Sequence, residues 1–298
     1  MREPTESGGR PRPMRTKLIA LLTFVLLAAA CGGGEDGGLA STLNLNDDPE
    51  SVLLIVRDEG GFVPPDFMVR QGPRLILLRD GTLITQGAMI EIFPGPLLIP
   101  YQQTQLDEET MLFVLEELDT LGFVNIVDET NNDAANFVAD ASTTVVTFFN
   151  QDGAHRFGVY ALGLGTDPLG GVDFTDARVP QLASLISELE NAGFSGASGS
   201  YEPDAIQVLA GIREFPAEPG FADVRPWPLP VSYDEMTATN LTTWRCATYE
   251  GDQMTALLTQ FSQASQETTW EDASTEYSIA VRPLFAGEEP CAPFGAAG

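Results

Sequence analysis

Two Asp-Gly dipeptides, each set between apolar runs, constrain the fold of this chain more than any other feature. The first is Asp80-Gly81 in RLILLRDGTLIT, and the second is Asp152-Gly153 in TTVVTFFNQDGAHRFGVYAL. Asp-Gly readily adopts the positive φ angles of a tight turn, so each stretch predicts two strands joined in a hairpin. Because a hairpin pairs its strands antiparallel, the sequence predicts an antiparallel sheet.

A helical pattern follows each hairpin. In LDEETMLFVLEELDTLGF, Asp107 can cap the helix and Gly122 can end it, and the apolar stripe at helical spacing is Met111, Leu112, Leu115 and Leu118. In DARVPQLASLISELENAGF, Gly193 is the predicted end, and the stripe is Leu182, Leu185, Ile186 and Leu189. A helix with one apolar stripe buries that stripe against a neighbouring layer, here the sheet.

A third, looser unit lies nearer the C-terminus. LTTWRCATYEGDQMTALLTQFSQA predicts a strand, a turn at Glu250-Gly251 and a helix, after which YSIAVRPL predicts a returning strand. SVLLIVRD and AIQVLAG are two further predicted strands. We therefore expect an α+β fold: an antiparallel sheet built from β-hairpins with helices packed on one face, in two or three related hairpin–helix modules.

Three segments are rich in proline, namely GGFVPPDF, FPGPLLIP and FPAEPGFADVRPWPLP. Proline lacks the amide hydrogen of a sheet ladder, so we expect these segments to lie extended over the surface and not in central strands. Exposed aromatic residues in such segments can dock a partner, although they can equally cover a sheet edge or seal a core. The candidate binding surface consists of Phe62, Phe93, Tyr101, Trp227 and Trp244.

The N-terminus has the pattern of a secretory signal. Residues 10–17 are basic, residues 18–27 are apolar, and three alanines precede Cys31. The apolar run is too short to span a bilayer comfortably and ends in small residues that suit a processing site. A start at Met1 or at Met14 leaves a complete signal.

The motif LAAAC at residues 27–31 resembles the lipobox of bacterial lipoproteins. The resemblance implies diacylation of the Cys31 thiol and cleavage before it, which would anchor the protein on the outer face of the cell membrane. The alternative is an ordinary signal peptide with an incidental cysteine. We expect a lipoprotein signal peptide over 1–30, a flexible Gly/Asp-rich tether over 31–50 and an α+β globular domain over 51–298.

Further motifs carry a second resemblance. EGGFVPP, the Asp-Gly hairpin, FPGP and RPLFAGEEPC together resemble uncharacterised secreted lipoproteins of high-GC actinobacteria. That resemblance implies an extracytoplasmic location and no particular activity.

Two cysteines remain once Cys31 is assigned to lipid, Cys246 and Cys291. An extracytoplasmic compartment permits their oxidation, so we expect a disulfide between them, with two unpaired thiols as the alternative.

The charge of the chain excludes one class of partner. Beyond residue 30 there are 10 cationic residues, all arginine, against 41 acidic ones. Nucleic-acid binding needs clustered Lys and Arg, so we expect no nucleic-acid partner. The acidic surface can attract divalent cations or basic partners, or serve only as a solvated exterior.

The sequence has few of the residues and motifs that are typical of enzymes. The single histidine, His155, excludes zinc sites with several imidazoles, and no P-loop lysine or Gly-x-Ser-x-Gly motif is present. We expect no cofactor. One polar loop offers oxygen ligands of the kind calcium prefers, although it lacks the glycine and terminal glutamate of an EF-hand; its members are Asp128, Glu129, Asn131, Asn132 and Asp133.

The sequence favours a non-enzymatic binding or interaction protein of the cell envelope, held to the membrane by its lipid. Its partner would be an envelope protein, a wall polymer or a small solute, bound at a shallow patch lined by aromatic residues or proline. The alternatives are a carboxylate-dependent envelope hydrolase, for example one acting on glycans, or a calcium-binding surface protein. A hydrolase of this kind requires a deep cleft with two facing acids.

Overall fold

The computed structural model describes residues 39, 41–63, 65–89, 92–164, 173–196, 199–213 and 223–292. The predicted signal peptide and Cys31 lie outside these residues.

Both predicted hairpins lie in one eight-stranded sheet, whose strand order is β5-β7-β6-β1-β2-β3-β4-β8. All neighbours in this sheet are antiparallel except β5 and β7. Gly81 and Gly153 have φ angles of 85° and 124°, as the two turns require. The strands are β1 (Val52–Gly60), β2 (Leu75–Leu78), β3 (Thr82–Gln86), β4 (Tyr101–Gln105), β5 (Asp128–Asn131), β6 (Ser142–Asn150), β7 (Gly153–Tyr160) and β8 (Gly199–Ser200).

The other six strands form a second sheet, with order β10-β13-β14-β9-β12-β11. Only β10 and β13 pair parallel in it. The strands are β9 (Ala205–Ile212), β10 (Val224–Pro226), β11 (Thr237–Ala238), β12 (Trp244–Glu250), β13 (Thr269–Asp272) and β14 (Thr275–Pro283). The predicted antiparallel α+β class is confirmed, with two sheets in place of one.

The described residues contain four α-helices: α1 (Pro65–Arg70), α2 (Glu108–Thr120), α3 (Arg178–Ser195) and α4 (Gly251–Phe261). Helices α2 and α3 follow the two hairpins and pack into one core on a single face of the eight-stranded sheet. The predicted stripe of α3 is buried in full, whereas in α2 the buried positions are Leu118, as predicted, and Val114, which the prediction did not include. Helix α4 follows β12 and packs Leu257 and Phe261 into the core of the second sheet. These positions agree with the predicted modules.

The ends of α2 follow the sequence prediction, and the end of α3 does not. Asp107 caps α2 by accepting a hydrogen bond from the Thr110 amide at 2.8 Å. Gly193, predicted to end α3, lies inside it because the helix continues to Ser195. A Cβ atom at Gly193 would lie 2.7 Å from the Thr85 methyl carbon, so the glycine permits close packing of α3 on β3.

Two segments differ from the sequence expectation. Leu43 and Leu45, within the predicted tether, are buried beside the β6–β7 turn, where the Leu43 carbonyl accepts from Asn150 Nδ2. Ordered packing therefore begins before residue 51. Residues 65–67 of GGFVPPDF, expected to be extended, form the start of α1, since proline at the first helical position has no amide hydrogen to leave unpaired.

The C-terminal segment after β14 lies between the two sheets. The Glu288 carboxylate accepts two hydrogen bonds from Arg282 Nη1, each 3.1 Å, and lies 3.6 Å from Arg57 Nη2 of β1. The Phe285 ring packs edge-on against Tyr101 of β4, with ring centroids 4.9 Å apart. The predicted disulfide between Cys246 and Cys291 is present and ties this segment to β12.

Candidate functional site

A cleft of about 680 Å³ opens where the two sheets meet α4. Residues 98–101 and 200–203 form one wall, α4 forms the opposite wall, and residues 281–283 at the end of β14 lie between them. Two backbone contacts assemble the first wall. Leu98 forms an isolated bridge with Val281, and the Tyr201 amide donates to the Tyr101 carbonyl at 3.0 Å.

Helix α4 has one apolar stripe, formed by Met254, Leu257, Leu258 and Phe261, whose edge borders the cleft. Leu257 and Phe261 point into the core, while Met254 and Leu258, one helical turn apart, line the cleft. Together with Leu98, Ile99 and Pro100 they make the cleft predominantly apolar.

Two hydroxyl groups of α4 and that of Ser262, the residue that follows it, line the cleft and donate to backbone carbonyls. Thr255 Oγ1 donates to the Gly251 carbonyl at 3.1 Å, and Thr259 Oγ1 donates to the Thr255 carbonyl at 2.9 Å. Ser262 Oγ donates to the Thr259 carbonyl at 2.9 Å. These three groups therefore present only oxygen lone pairs to a ligand.

Among the described residues, two charged ones line the cleft, Glu202 and Arg282. Glu202 is exposed to solvent. The Arg282 guanidinium is paired with Glu288 and donates from Nη2 to Gln207 Oε1 at 3.4 Å. Among the described lining residues, Glu202 is the only carboxylic acid, so the cleft lacks the pair of facing acids that the hydrolase alternative requires.

Both tyrosines at the cleft are held neutral. Burial raises the pKa of Tyr101 to about 12, and its hydroxyl donates to the Pro73 carbonyl at 3.1 Å. Burial also raises the pKa of Tyr201, and the charge of Asp204 raises it further. Neither phenol is tuned for acid–base chemistry near neutral pH.

The candidate binding surface is not one surface. Tyr101 is its single member in the cleft. Phe62 and Phe93 are 87% and 60% exposed, on loops after β1 and before β4. Trp227 is half-buried and donates from Nε1 to the Val231 carbonyl at 2.7 Å, whereas Trp244 is 6% exposed and packs against Gly211. Both tryptophans thus pack on the second sheet. This agrees with the alternative stated from the sequence, in which such aromatic residues seal a core.

His155 lies away from the cleft. It is buried, with Nδ1 against the Ile126 carbonyl and Nε2 against Asn150 Oδ1, and no acid of a catalytic triad contacts it among the described residues. Its contacts are structural.

The five candidate calcium ligands are engaged with other partners or spread along the chain. Asp128 and Glu129 lie in β5 and pair with Arg156 and Arg178. Asp133 accepts from the Thr175 amide and hydroxyl, hydrogen bonds that lower its pKa. Within the described ranges there is no group of three or more His, Cys, Asp or Glu side chains placed to hold a metal ion. These contacts give the calcium alternative no support.

Sequence reasoning missed Tyr201 and the part of the α4 apolar stripe, Met254 and Leu258, that borders the cleft. The signal for the stripe was present, because Met254 and Leu258 recur with a spacing of four beside the core positions. The part of the chain that the structure describes has no helix long and apolar enough to cross a membrane. Comparison with family models, with curated proteins and with solved structures found no match for this chain.

Proposed function

We propose that this chain is a lipid-anchored extracytoplasmic protein of the cell envelope that binds a small ligand without catalysing a reaction. The observation that carries the proposal is the cleft between α4 and residues 98–101 and 200–203. Its volume of about 680 Å³ falls in the range of small-molecule sites, and its lining is apolar with a few polar groups, as such sites usually are.

The chemistry of the lining supports binding over catalysis. The hydroxyls of α4 carry no adjacent base, and the only carboxylic acid among the described lining residues is exposed Glu202. Activated nucleophiles need a base within hydrogen-bond reach, and carboxylate hydrolases need two acids. The described cleft offers a shaped apolar surface with neither.

The place where the chain joins the fold also suits an anchored receptor. Leu43 and Asn44 contact the turn after β6, at the end of the eight-stranded sheet where β4 finishes. The cleft lies at the opposite end, where β4 begins at Tyr101. If the residues before Leu43 form a tether to Cys31, the cleft lies at the end of the sheet opposite to the end that the tether joins.

The anchor is tested by growing cells with an alkyne-labelled fatty acid. We expect label on the wild-type chain and none on Cys31→Ala. A wild-type chain without label would refute the anchor.

The cleft is tested with a dye whose fluorescence rises in apolar surroundings, using the mature chain, residues 31–298, carrying Cys31→Ala, which has neither the lipid nor the apolar signal segment. We expect saturable binding that Leu258→Arg abolishes. Phe113→Arg is the matched control, because Phe113 is partly exposed on α2 and outside the cleft. Equal dye binding by the two variants would refute the cleft as the binding site.

A further inference from the structure

The polar groups of the cleft specify the charge of its ligand, an inference that rests on the proposed function. We propose that the cleft selects an amphipathic cation, that is, an apolar chain carrying a primary ammonium group. The apolar part would lie against Met254, Leu258 and Leu98, and the ammonium group would lie among oxygen acceptors.

The first argument is hydrogen-bond complementarity. Thr255, Thr259 and Ser262 donate their hydroxyl hydrogens to backbone carbonyls of α4, at 2.9 to 3.1 Å. An oxygen whose hydrogen is committed can only accept from a ligand. A carboxylate or phosphate, which has only acceptors, would face these lone pairs, whereas an ammonium group has three hydrogens to donate.

The second argument is electrostatic. Glu202 lines the cleft and Asp204 follows two residues later, close enough for its charge to act on Tyr201. Beyond residue 30 the chain has 41 acidic residues against 10 arginines, so the surrounding field also attracts cations. The two nearby carboxylates and the net negative charge of the chain both disfavour binding of an anion in the cleft.

Arg282, the one cation among the described lining residues, offsets this field only in part. Arg282 holds Glu288 with two hydrogen bonds of 3.1 Å, and the Glu288 side chain is 9% exposed. The Arg282 Nε atom is buried without a hydrogen-bond partner in the described structure, and its burial keeps it out of reach of a ligand in the open cleft. Glu288 therefore neutralises part of the guanidinium charge inside the protein, and it shares its single negative charge with Arg57.

The size of the cleft suits a chain with a small head group. At about 680 Å³ it holds a ligand of tens of non-hydrogen atoms, and its wall of aliphatic side chains and prolines would exclude water from an alkyl tail. A compact, strongly hydrated metal ion would gain nothing from such a wall.

The test uses three probes with the same tail, dodecylammonium, dodecanol and dodecanoate, each below its solubility or micelle limit. Binding is measured by isothermal titration calorimetry on the mature chain, residues 31–298, carrying Cys31→Ala. We expect dodecylammonium to bind at least about tenfold more tightly than either other probe, because a charge-assisted hydrogen bond is worth about that factor. Added salt should weaken the binding.

Three variants test whether dodecylammonium binds in the cleft. Leu258→Arg should abolish dodecylammonium binding, and Glu202→Gln should weaken it several-fold. Glu271→Gln removes an equal charge from an exposed position on β13, outside the cleft, and should leave the binding unchanged.

Each outcome separates the two proposals. Equal or tighter binding of dodecanol or dodecanoate, still abolished by Leu258→Arg, would overturn the cation preference and leave the binding function standing. Dodecylammonium binding that is insensitive to Leu258→Arg would show adsorption to the acidic surface and overturn the inference. Absence of binding for all three probes would overturn both.

Discussion

Reducing the disulfide should lower the unfolding free energy, but the protein should remain folded. Cys246 lies in β12 and Cys291 near the end of the described chain, at a sequence separation of 45 residues. Breaking the bond leaves the native contacts of the segment between the sheets, including the ion pair of Glu288 with Arg282, available. The main effect is therefore expected in the unfolded state.

The magnitude follows from loop closure. A cross-link across 45 residues lowers the conformational entropy of the unfolded chain by an amount worth about 4 kcal/mol at 25 °C in the chain-entropy model. The reduced unfolded chain is also more expanded, so the dependence of the unfolding free energy on denaturant should become steeper.

The assay is urea unfolding followed by tryptophan fluorescence, with and without reductant. The double variant Cys246→Ala/Cys291→Ala is the control, because its unfolding curve should not respond to reductant. We expect reduction to lower the unfolding free energy of the wild type by about 4 kcal/mol. A loss below about 1 kcal/mol with an unchanged urea dependence would refute the loop-closure argument.

Three further substitutions test the fold. Tyr101→Phe should reduce the loss of unfolding free energy at alkaline pH. Because the pKa of Tyr101 is raised to about 12 in the folded state, its contribution to stability is complete below pH 10 and falls by roughly 3 kcal/mol as the pH rises through 12. Urea unfolding across that pH range measures the difference between the two proteins. Gly211→Ala should cost about 1–3 kcal/mol in thermal unfolding, because the added Cβ would lie 2.6 Å from the Trp244 ring; an unchanged midpoint would contradict this. Asp107→Ala should lower the thermal unfolding midpoint through loss of the α2 cap, and Glu108→Ala should lower it less; equal losses would count against the cap.

The elements that the sequence predicted well are those whose signals are local. The Asp-Gly turns place the hairpins because the required φ angles are a property of two adjacent residues, and Asp107 caps α2 because its partner, Thr110, is three residues away. The prediction that Gly193 ends α3 is wrong because the role of this glycine is long-range. Its lack of a side chain lets Thr85, more than a hundred residues earlier, pack closely against α3.

The candidate site could not be predicted in the same way. Residues 98–101, 200–203 and 281–283 meet only because β8 pairs with β4 and Leu98 bridges to Val281. The aromatic residues chosen from the sequence divided between loops and core, since proline-rich context does not reveal whether a tryptophan faces solvent or, like Trp244, a glycine on the next strand.

The sequence by itself determined the hairpins, the amphipathic helices, the cystine partners and the acidic charge, because each depends on local pattern, composition or a choice between two cysteines. Tertiary structure alone decided that the strands divide into two sheets and that Glu288 lies between Arg57 and Arg282. It also decided which face of α4 borders a cleft. These outcomes depend on how side chains far apart in the chain fill space together, and packing of that kind leaves no periodic signal in the sequence.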